Sequence, residues 1–272
     1  MQRAVRRMAA SGKTIGLVPT MGFLHRGHLS LITRAKRDAA VVITSIFVNP
    51  RQFAPHEDLS KYPRDEAGDF RKIRSVGGNI IFVPQAPQMY PDDFQTTVNV
   101  EHLTDVLEGS SRPGHFRGVT TVVAKLFNIT RPDIAVFGMK DFQQARVLKQ
   151  MTVDLGYPIK FIIAPTVRER DGLAMSSRNK YFDASGRREA ICLFHALSTA
   201  REMVRSGQHN TRMIEKEMRA VIHSVCPSAK IDYIAFTDFE SLAPTTKVTH
   251  GTVCSLAVKV HGVRLIDNMK LA

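Results

Sequence analysis

The sequence alternates between short apolar segments and segments with helical spacing from its start to about Pro165. Apolar runs rich in β-branched residues predict strands at 13–20, 40–49, 79–84, 134–138 and 159–166. Spacing and end signals predict helices at 27–39, 64–77 and 141–156; the pattern at 119–130 fits helix or strand, and its length and the following RPD favour a helix. Nearly continuous apolar strands that alternate with helices are typical of a parallel sheet covered on both sides. We therefore predict an α/β fold with helices on both faces of a parallel sheet.

The pattern changes after RDGLAMSSRNKYF, which indicates a second, smaller domain that starts near residue 168. Two helices are predicted at 184–207 and 211–225, followed by antiparallel strands within 230–240 and 251–269. We predict a first domain at 1–167 and a smaller α+β domain at 168–272.

Composition excludes several classes of protein. No run of about 18 apolar residues indicates a membrane span, and the basic N-terminus lacks the apolar region of a secretory signal. The net charge of +13 favours anionic ligands, but the basic residues are scattered, so a nucleic-acid surface is not predicted. Three widely spaced cysteines, Cys192, Cys226 and Cys254, predict a reducing cytoplasm, no disulfide framework and no thiolate zinc site.

The most informative segment, PTMGFLHRGHLSLI, lies between the first strand and the first helix of the alternation. His25 and His28 stand three positions apart there, which taken alone fits exposed histidines at a helix start, a zinc site or a phosphate site. Gly27 permits a close backbone approach, and a helix N-terminus attracts anions through its unpaired N–H groups. The combination of strand, histidines and helix favours a triphosphate site.

Two later strand ends also carry groups suited to anions. Lys140 follows the strand at 134–138, where no structural feature requires lysine, so it indicates anion binding. Asp141 is also interpretable as a helix N-cap. Ser176, Ser177 and Arg178 combine two hydroxyls with a guanidinium group, although such a triplet is also common in polar loops.

The loop after the second strand carries uncharged amides instead. Asn49 and Gln52 suit the hydroxyls of a substrate better than phosphate, although turn residues are expected in any irregular loop.

Taken together, the motifs resemble those of the pantothenate synthetase (pantoate–β-alanine ligase) family. The resemblance rests on VPTMGFLHRGHLSLI, SIFVNPRQFAPHEDLSKYPR, PGHFRGVTTVVAKLFNITRPDIAVFGMKDFQQ, PTVRERDGLAMSSRN and RLIDN, which follow the family's order along nearly the whole chain. The histidine motif alone indicates only the wider nucleotidyltransferase superfamily.

The resemblance implies an activity and an architecture. The family joins pantoate to β-alanine with ATP and Mg²⁺, through pantoyl adenylate, and releases pyrophosphate and AMP. It implies a Rossmann-like N-terminal domain, a smaller C-terminal domain that covers the active site, a homodimer and a cytoplasmic location.

The resemblance also implies roles for individual residues. His25 and His28 would contact the ATP phosphates, with His28 as proton donor, and Lys140 and Arg178 would complete the catalytic set. The nucleotide site would also include Met21, Gly22, Gly138, Asp141, Val167, Met175, Ser176 and Ser177. Gln52 and Gln144 would bind the hydroxyls of pantoate, with Asn49 in the same pocket. No side chain is predicted to ligate a metal.

Two other functions fit parts of the sequence. An adenylyltransferase of the same superfamily would release pyrophosphate without an amine acceptor, but Gln52 and Gln144 argue against the phosphate acceptor that it would need. A basic nucleic-acid-binding module without catalysis would bind many sequences in a salt-sensitive way. Departures from the family's pattern are small: Met139 replaces a common acidic residue, and Ala54 replaces a usual glycine.

Overall fold

The computed structural model describes residues 1–55, 57 and 59–272. The chain forms two compact units, which are described separately here. Unit 1 comprises Met1–Met139 and Gln143–Pro165, and unit 2 comprises Lys140–Phe142 and Thr166–Ala272.

Unit 1 is built on a five-stranded sheet in which every strand pair is parallel. Its strands are β1 (Ile15–Thr20), β2 (Val41–Ile46), β3 (Ile80–Phe82), β4 (Ile134–Gly138) and β5 (Lys160–Ala164). The order is β3-β2-β1-β4-β5, so the chain reverses its direction of progress across the sheet between β1 and β4. Ligands of such sheets bind beyond the carboxyl ends of the strands at this reversal. The predicted α/β class and all five predicted strands are confirmed.

Helices cover both faces of the sheet. They are α1 (Gln2–Ala10), α2 (Arg26–Ala35), α3 (Glu66–Ser75), α4 (Ala86–Met89), α5 (Glu108–Ser111), α6 (His115–Thr130) and α7 (Phe142–Asp154). Successive side chains of β1 point to opposite faces, and both Leu17 and Val18 are fully buried. Burial on both sides explains why the strands contain continuous apolar runs. The sequence did not predict α1, α4 or α5, which are short or mostly polar.

Unit 2 contains a three-stranded antiparallel sheet in the order β6-β7-β8. Its strands are β6 (Lys230–Asp238), β7 (Thr252–Val260) and β8 (Val263–Lys270), and its helices are α8 (Ala184–Glu189), α9 (Cys192–Arg205) and α10 (Thr211–Val225). A tight turn at His261 and Gly262, both with positive φ, joins β7 to β8. The predicted helix at 184–207 is interrupted at Ala190–Ile191 and forms α8 and α9. Among the described residues, no helix is long and apolar enough to span a membrane.

Candidate active site

The segment from Met21 to His28, called the histidine loop below, follows β1 at the reversal point of the sheet. Gly22 has φ +84°, and a Cβ there would lie 3.0 Å from Ile46 Cγ2 and 3.2 Å from Asp69 Oδ2. Glycine is therefore required both for the left-handed backbone and for the lack of space. The chain leaves the sheet sharply and enters α2 at Arg26.

His25 and His28 cap the start of α2 through one another. His25 Nδ1 accepts the Gly27 backbone N–H at 3.2 Å, and His28 Nδ1 accepts the His25 backbone N–H at 3.3 Å. The two rings lie 4.0 Å apart, centroid to centroid. Because each Nδ1 accepts a hydrogen bond, the neutral form of each ring carries its proton on Nε2. The structure thus places two ring N–H donors beside the helix N-terminus.

The carboxylate of Asp69, on α3, holds the histidine loop. Its two oxygens accept the backbone N–H groups of Phe23 and Leu24, each at 2.7 Å. The side chain is almost completely buried, and Lys72 Nζ lies 3.8 Å away. Sequence analysis missed Asp69. The available signal was an acidic residue four positions before Ile73, where the buried face of α3 calls for an apolar side chain.

Gln52 is oriented by Asn49, which is itself fully engaged with the protein. Asn49 Nδ2 donates to Gln52 Oε1 and to the Gly118 carbonyl, both at 3.1 Å. Asn49 Oδ1 accepts the Tyr90 hydroxyl at 2.8 Å. Gln52 Nε2 therefore points to Met21, whose sulfur it contacts at 3.0 Å. The structure brings Asn49, Gln52 and Met21 together, with Asn49 as the residue that orients Gln52.

The backbone of Gln52 is held by a second network that sequence analysis also missed. The Gln52 carbonyl lies 2.8 Å from His115 Nδ1 and accepts an N–H of Arg112 at 3.3 Å. Arg112 in turn donates to both carboxylate oxygens of Glu57, at 2.6 and 2.7 Å. Burial, reinforced by the Arg112 charge, lowers the pKa of His115 from 6.5 to about 4, so the ring is neutral at pH 7.

Gly138 and Gln144 belong to the neighbouring strand-to-helix connection of unit 1. Gly138 is the last residue of β4, which pairs with β1, and Gln144 lies in the first turn of α7. The adjacent Gln143 is buried and binds the Leu103 and Val106 carbonyls at 2.8 and 2.7 Å. Gln143 is therefore structural, whereas Gln144 is partly exposed.

Lys140 and Asp141 lie between β4 and α7 in the chain and are grouped with unit 2. Lys140 Nζ is 3.3 Å from Asp141 Oδ1, and the Lys140 carbonyl accepts the Asn268 side-chain N–H at 2.9 Å. The side chain of Asp141 is about half exposed, at 48%.

The segment that carries Val167, Met175, Ser176, Ser177 and Arg178 folds back on itself within unit 2. The Val167 carbonyl accepts the Met175 N–H at 3.0 Å, and Ser176 Oγ accepts the Arg178 N–H at 3.3 Å.

A buried ion pair supports this segment. Arg168 donates to both oxygens of Asp267, at 2.6 and 3.0 Å, and Asp267 is only 3% exposed. Such forked geometry fixes the orientation of the arginine and of the backbone next to it. Asp267 belongs to the RLIDN motif, so this motif of β8 has a structural role.

Comparison with known proteins places these features in a family. Residues 1–270 match the family model described as pantoate-beta-alanine ligase. The pantothenate synthetase of Moorella thermoacetica is 49% identical over 272 residues, covering 98% of this chain and 96% of the relative. That of Geobacter sulfurreducens is 48% identical over 271 residues, covering 100% of this chain and 95% of the relative.

Solved structures agree. The crystal structure of the pantothenate synthetase from Thermus thermophilus has a TM-score of 0.93 at 42% identity and covers 98% of this chain and 97% of that one. The pantoate-beta-alanine ligase from Francisella tularensis, complexed with beta-gamma ATP and β-alanine, has a TM-score of 0.77 at 34% identity and covers 98% of this chain and 93% of that one.

Proposed function

Because the chain belongs to the pantoate–β-alanine ligase family, it catalyses the ATP-dependent condensation of pantoate with β-alanine to pantothenate, and we propose how its residues divide this work. The observation that carries the assignment is the mutual capping of His25 and His28 at the N-terminus of α2, directly after β1. This arrangement presents N–H donors where a parallel sheet of this topology binds its ligands.

We propose that the reaction proceeds in two steps. A carboxylate oxygen of pantoate attacks the α-phosphorus of ATP, and the bond to the leaving pyrophosphate breaks. The β-alanine amine then attacks the acyl carbon of pantoyl adenylate, AMP leaves, and the amine loses a proton. In-line attack at phosphorus requires positioning and charge neutralisation more than covalent help from the protein.

We assign the phosphate contacts of unit 1 to the two histidines. Their Nε2–H groups donate to phosphate oxygens, since both Nδ1 atoms accept backbone N–H groups. His28 is the residue that donates its Nε2–H hydrogen bond to the leaving group as negative charge develops there; the proton stays on Nε2, because Nδ1 accepts a backbone N–H. Met21, Gly22 and Gly138 line the nucleotide.

We assign pantoate recognition to Gln52 and Gln144. The Gln52 amide N–H contacts the Met21 sulfur, which is a weak acceptor, so a substrate oxygen can replace that contact at little cost. Asn49 keeps the Gln52 amide in this orientation. Amides select a hydroxy acid without adding charge that would compete for phosphate.

We assign the remaining nucleotide contacts to unit 2. Lys140 and Arg178 neutralise phosphate charge, Ser176 and Ser177 donate hydroxyl hydrogen bonds to phosphate, and Asp141 accepts from the ribose. Val167 and Met175 contact the adenine. The support is the cationic and hydroxyl character of these groups and their place in the family's motifs.

Mg²⁺ fits this set of residues as an ion carried by the nucleotide. The groups assigned to phosphate are donors and cations, which do not ligate a metal, whereas Mg²⁺ prefers phosphate oxygens and water. Bound to the triphosphate, the ion would neutralise charge on it.

Pyrophosphate release tests the function directly. The assay contains ATP, Mg²⁺ and D-pantoate, with and without β-alanine, and follows AMP in parallel. We expect pyrophosphate only when pantoate is present, and sustained AMP and pantothenate formation only with β-alanine. Pyrophosphate release with a phosphate-ester acceptor but not with pantoate would instead identify an adenylyltransferase.

Substitutions test the individual assignments. His28→Ala and Lys140→Ala should each lower kcat/KM by at least about 100-fold while the protein remains folded. The matched controls are His223→Ala and Lys216→Ala, which remove exposed side chains of α10 and should leave activity unchanged. Normal turnover in His28→Ala and Lys140→Ala would refute these two site assignments.

We also propose that the enzyme is a cytoplasmic homodimer with domains at 1–167 and 168–272. The three cysteines are free thiols, which fits a reducing compartment. Sedimentation equilibrium would measure the oligomeric state, and limited proteolysis would locate the domain boundary.

A further inference from the structure

Three side chains that can bind a transition metal meet in unit 2, and none of them is assigned to the ligase reaction. Glu189 is the last residue of α8, Cys226 follows α10, and His261 lies in the turn between β7 and β8. One ligand atom of each lies within 4.8 Å of those of the other two. The residues are far apart in the sequence, so the cysteine spacing gave no indication of this cluster.

Specific contacts orient the cluster. Glu189 Oε2 lies 3.0 Å from His261 Nε2, while Ser185 donates to the other carboxylate oxygen at 3.4 Å. Cys226 is buried, and its sulfur contacts Ser228 Oγ at 3.6 Å and hydrogen-bonds Glu189. The carboxylate, the imidazole and the sulfur therefore face a common centre.

The backbone holds the His261 ring close to α8. His261 has φ 45°, a left-handed conformation that histidine tolerates better than most residues. A Cβ on Gly186 would lie 3.4 Å from His261 Cγ, so the ring packs directly against the helix. Its side chain is still 40% exposed, which leaves access for an ion and a water molecule.

We propose that Glu189, Cys226 and His261 bind one divalent transition-metal ion of the zinc class, with water as the fourth ligand. Zinc accepts sulfur, imidazole nitrogen and carboxylate oxygen at about 2.0–2.3 Å, which sets ligand-to-ligand distances of roughly 3.3–3.8 Å in a tetrahedron. The present separations, all within 4.8 Å, would shorten by up to about 1.0–1.5 Å on binding. On binding, the Cys226 thiol proton leaves to solvent, and His261 gives up its Nε2 proton and keeps one on Nδ1; the thiolate and carboxylate charges then balance the dication.

The alternative is a hydrogen-bonded ion pair of Glu189 and His261 without a metal. Such a pair leaves the Cys226 thiol as a core side chain that hydrogen-bonds Glu189, whereas a metal ion would be bound by all three side chains. A thiolate also discriminates against Mg²⁺, which prefers oxygen ligands, so the site is chemically distinct from one for Mg²⁺ and ATP.

The ion would join three elements of unit 2. It would connect α8 to the end of α10 and to the turn between β7 and β8. Because α8 follows the Ser177–Tyr181 turn closely in the chain, the ion would anchor the segment after Arg178. We expect Zn²⁺ to raise the melting temperature of the full-length protein without being required for the ligase reaction.

Cobalt titration tests the proposal. Co²⁺ added to the reduced, full-length protein should give a thiolate-to-metal charge-transfer band that saturates at one ion per chain, and Zn²⁺ should abolish the band. Cys226→Ser and His261→Gln should lose it, whereas Cys192→Ser and Cys254→Ser, which remove the other two buried thiols, should retain it.

Two outcomes would overturn the proposal: no charge-transfer band in the reduced protein, or a band that persists in His261→Gln or Cys226→Ser. Binding at His25 and His28 would lack the thiolate band and is thereby distinguished. If Cys226→Ser does not fold, Glu189→Gln and His261→Gln decide the question, since both side chains reach solvent. His261→Gln should retain normal ligase activity with Mg²⁺ and ATP.

Discussion

Asp69→Asn is the sharpest test of how the histidine loop is positioned. The substitution preserves the shape of the side chain but replaces one oxygen acceptor with an NH₂ donor. In the structure both oxygens accept backbone N–H groups, from Phe23 and Leu24, at 2.7 Å each. The amide can accept only one of them, so a second buried N–H would face a donor.

The size of the effect follows from that lost hydrogen bond. A hydrogen bond to a charged group contributes about 1.5–3 kcal/mol, and an unsatisfied buried N–H costs a similar amount. We therefore expect the free energy of unfolding to fall by about 2–3 kcal/mol. Because the displaced loop carries His25 and His28, a shift of about 1 Å should lower kcat/KM for ATP by roughly 100-fold.

Urea denaturation and initial-rate kinetics at saturating pantoate and β-alanine would measure both quantities. The matched control is Asp65→Asn on the same helix, where the side chain caps α3 by accepting the Gly68 N–H at 3.0 Å. Asparagine caps helices as well as aspartate does, so this variant should behave like the wild type. If Asp69→Asn has the free energy of unfolding of the wild type and a kcat/KM within about twofold of it, Asp69 does not position the loop.

Three further predictions concern the scaffold. The pKa of His115 is lowered to about 4, so the neutral ring stabilises the folded state above pH 6.5, and this contribution is lost as pH falls from 6.5 towards 4. Urea titrations at pH 7 and 4.5 should show about 2–3 kcal/mol more acid destabilisation in the wild type than in His115→Gln, and equal losses would contradict this origin. Gly22→Ala should lower the melting temperature and the turnover, because it adds about 1–2 kcal/mol of backbone strain and a close contact with Ile46. An unchanged melting temperature in calorimetry would refute the strain. Arg168→Lys should lower the free energy of unfolding, measured by denaturant titration, by about 2–3 kcal/mol, since lysine cannot donate to both oxygens of the buried Asp267 in the same geometry. Stability equal to that of the wild type would show that the paired hydrogen bonds are dispensable.

Much of unit 1 was predictable because its central strands β1, β2 and β4 are buried on both faces. Such strands leave continuous apolar runs, and all five predicted runs are strands. The same reasoning located the histidine loop, since a loop that follows such a strand lies at the carboxyl ends of the strands, where ligands bind. The short helices were missed because so few turns give no reliable periodicity. The α1 helix contributes one buried apolar residue, Val5.

The supporting residues were not predictable from local patterns. Asp69 is more than forty positions from the N–H groups that it accepts, and Arg112 is 60 positions from the Gln52 carbonyl. The position of Asp69 on the buried face of α3 indicates a buried carboxylate but not its partners, and nothing in the sequence near Arg112 distinguishes it from an ordinary surface charge. Only the packing of α3 and of the segment before α6 against the strand ends makes each of them a partner of the site.

The sequence by itself determined which segments become buried strands and which residues at their ends carry anion-binding chemistry, because periodicity and residue type are local properties. Tertiary structure decided the sheet order, the hydrogen bonds by which Asp69 holds the histidine loop, and the grouping of Lys140 with unit 2. It also decided the meeting of Glu189, Cys226 and His261. These features depend on distances between residues that are remote in the chain, and such distances exist only after the cores have packed.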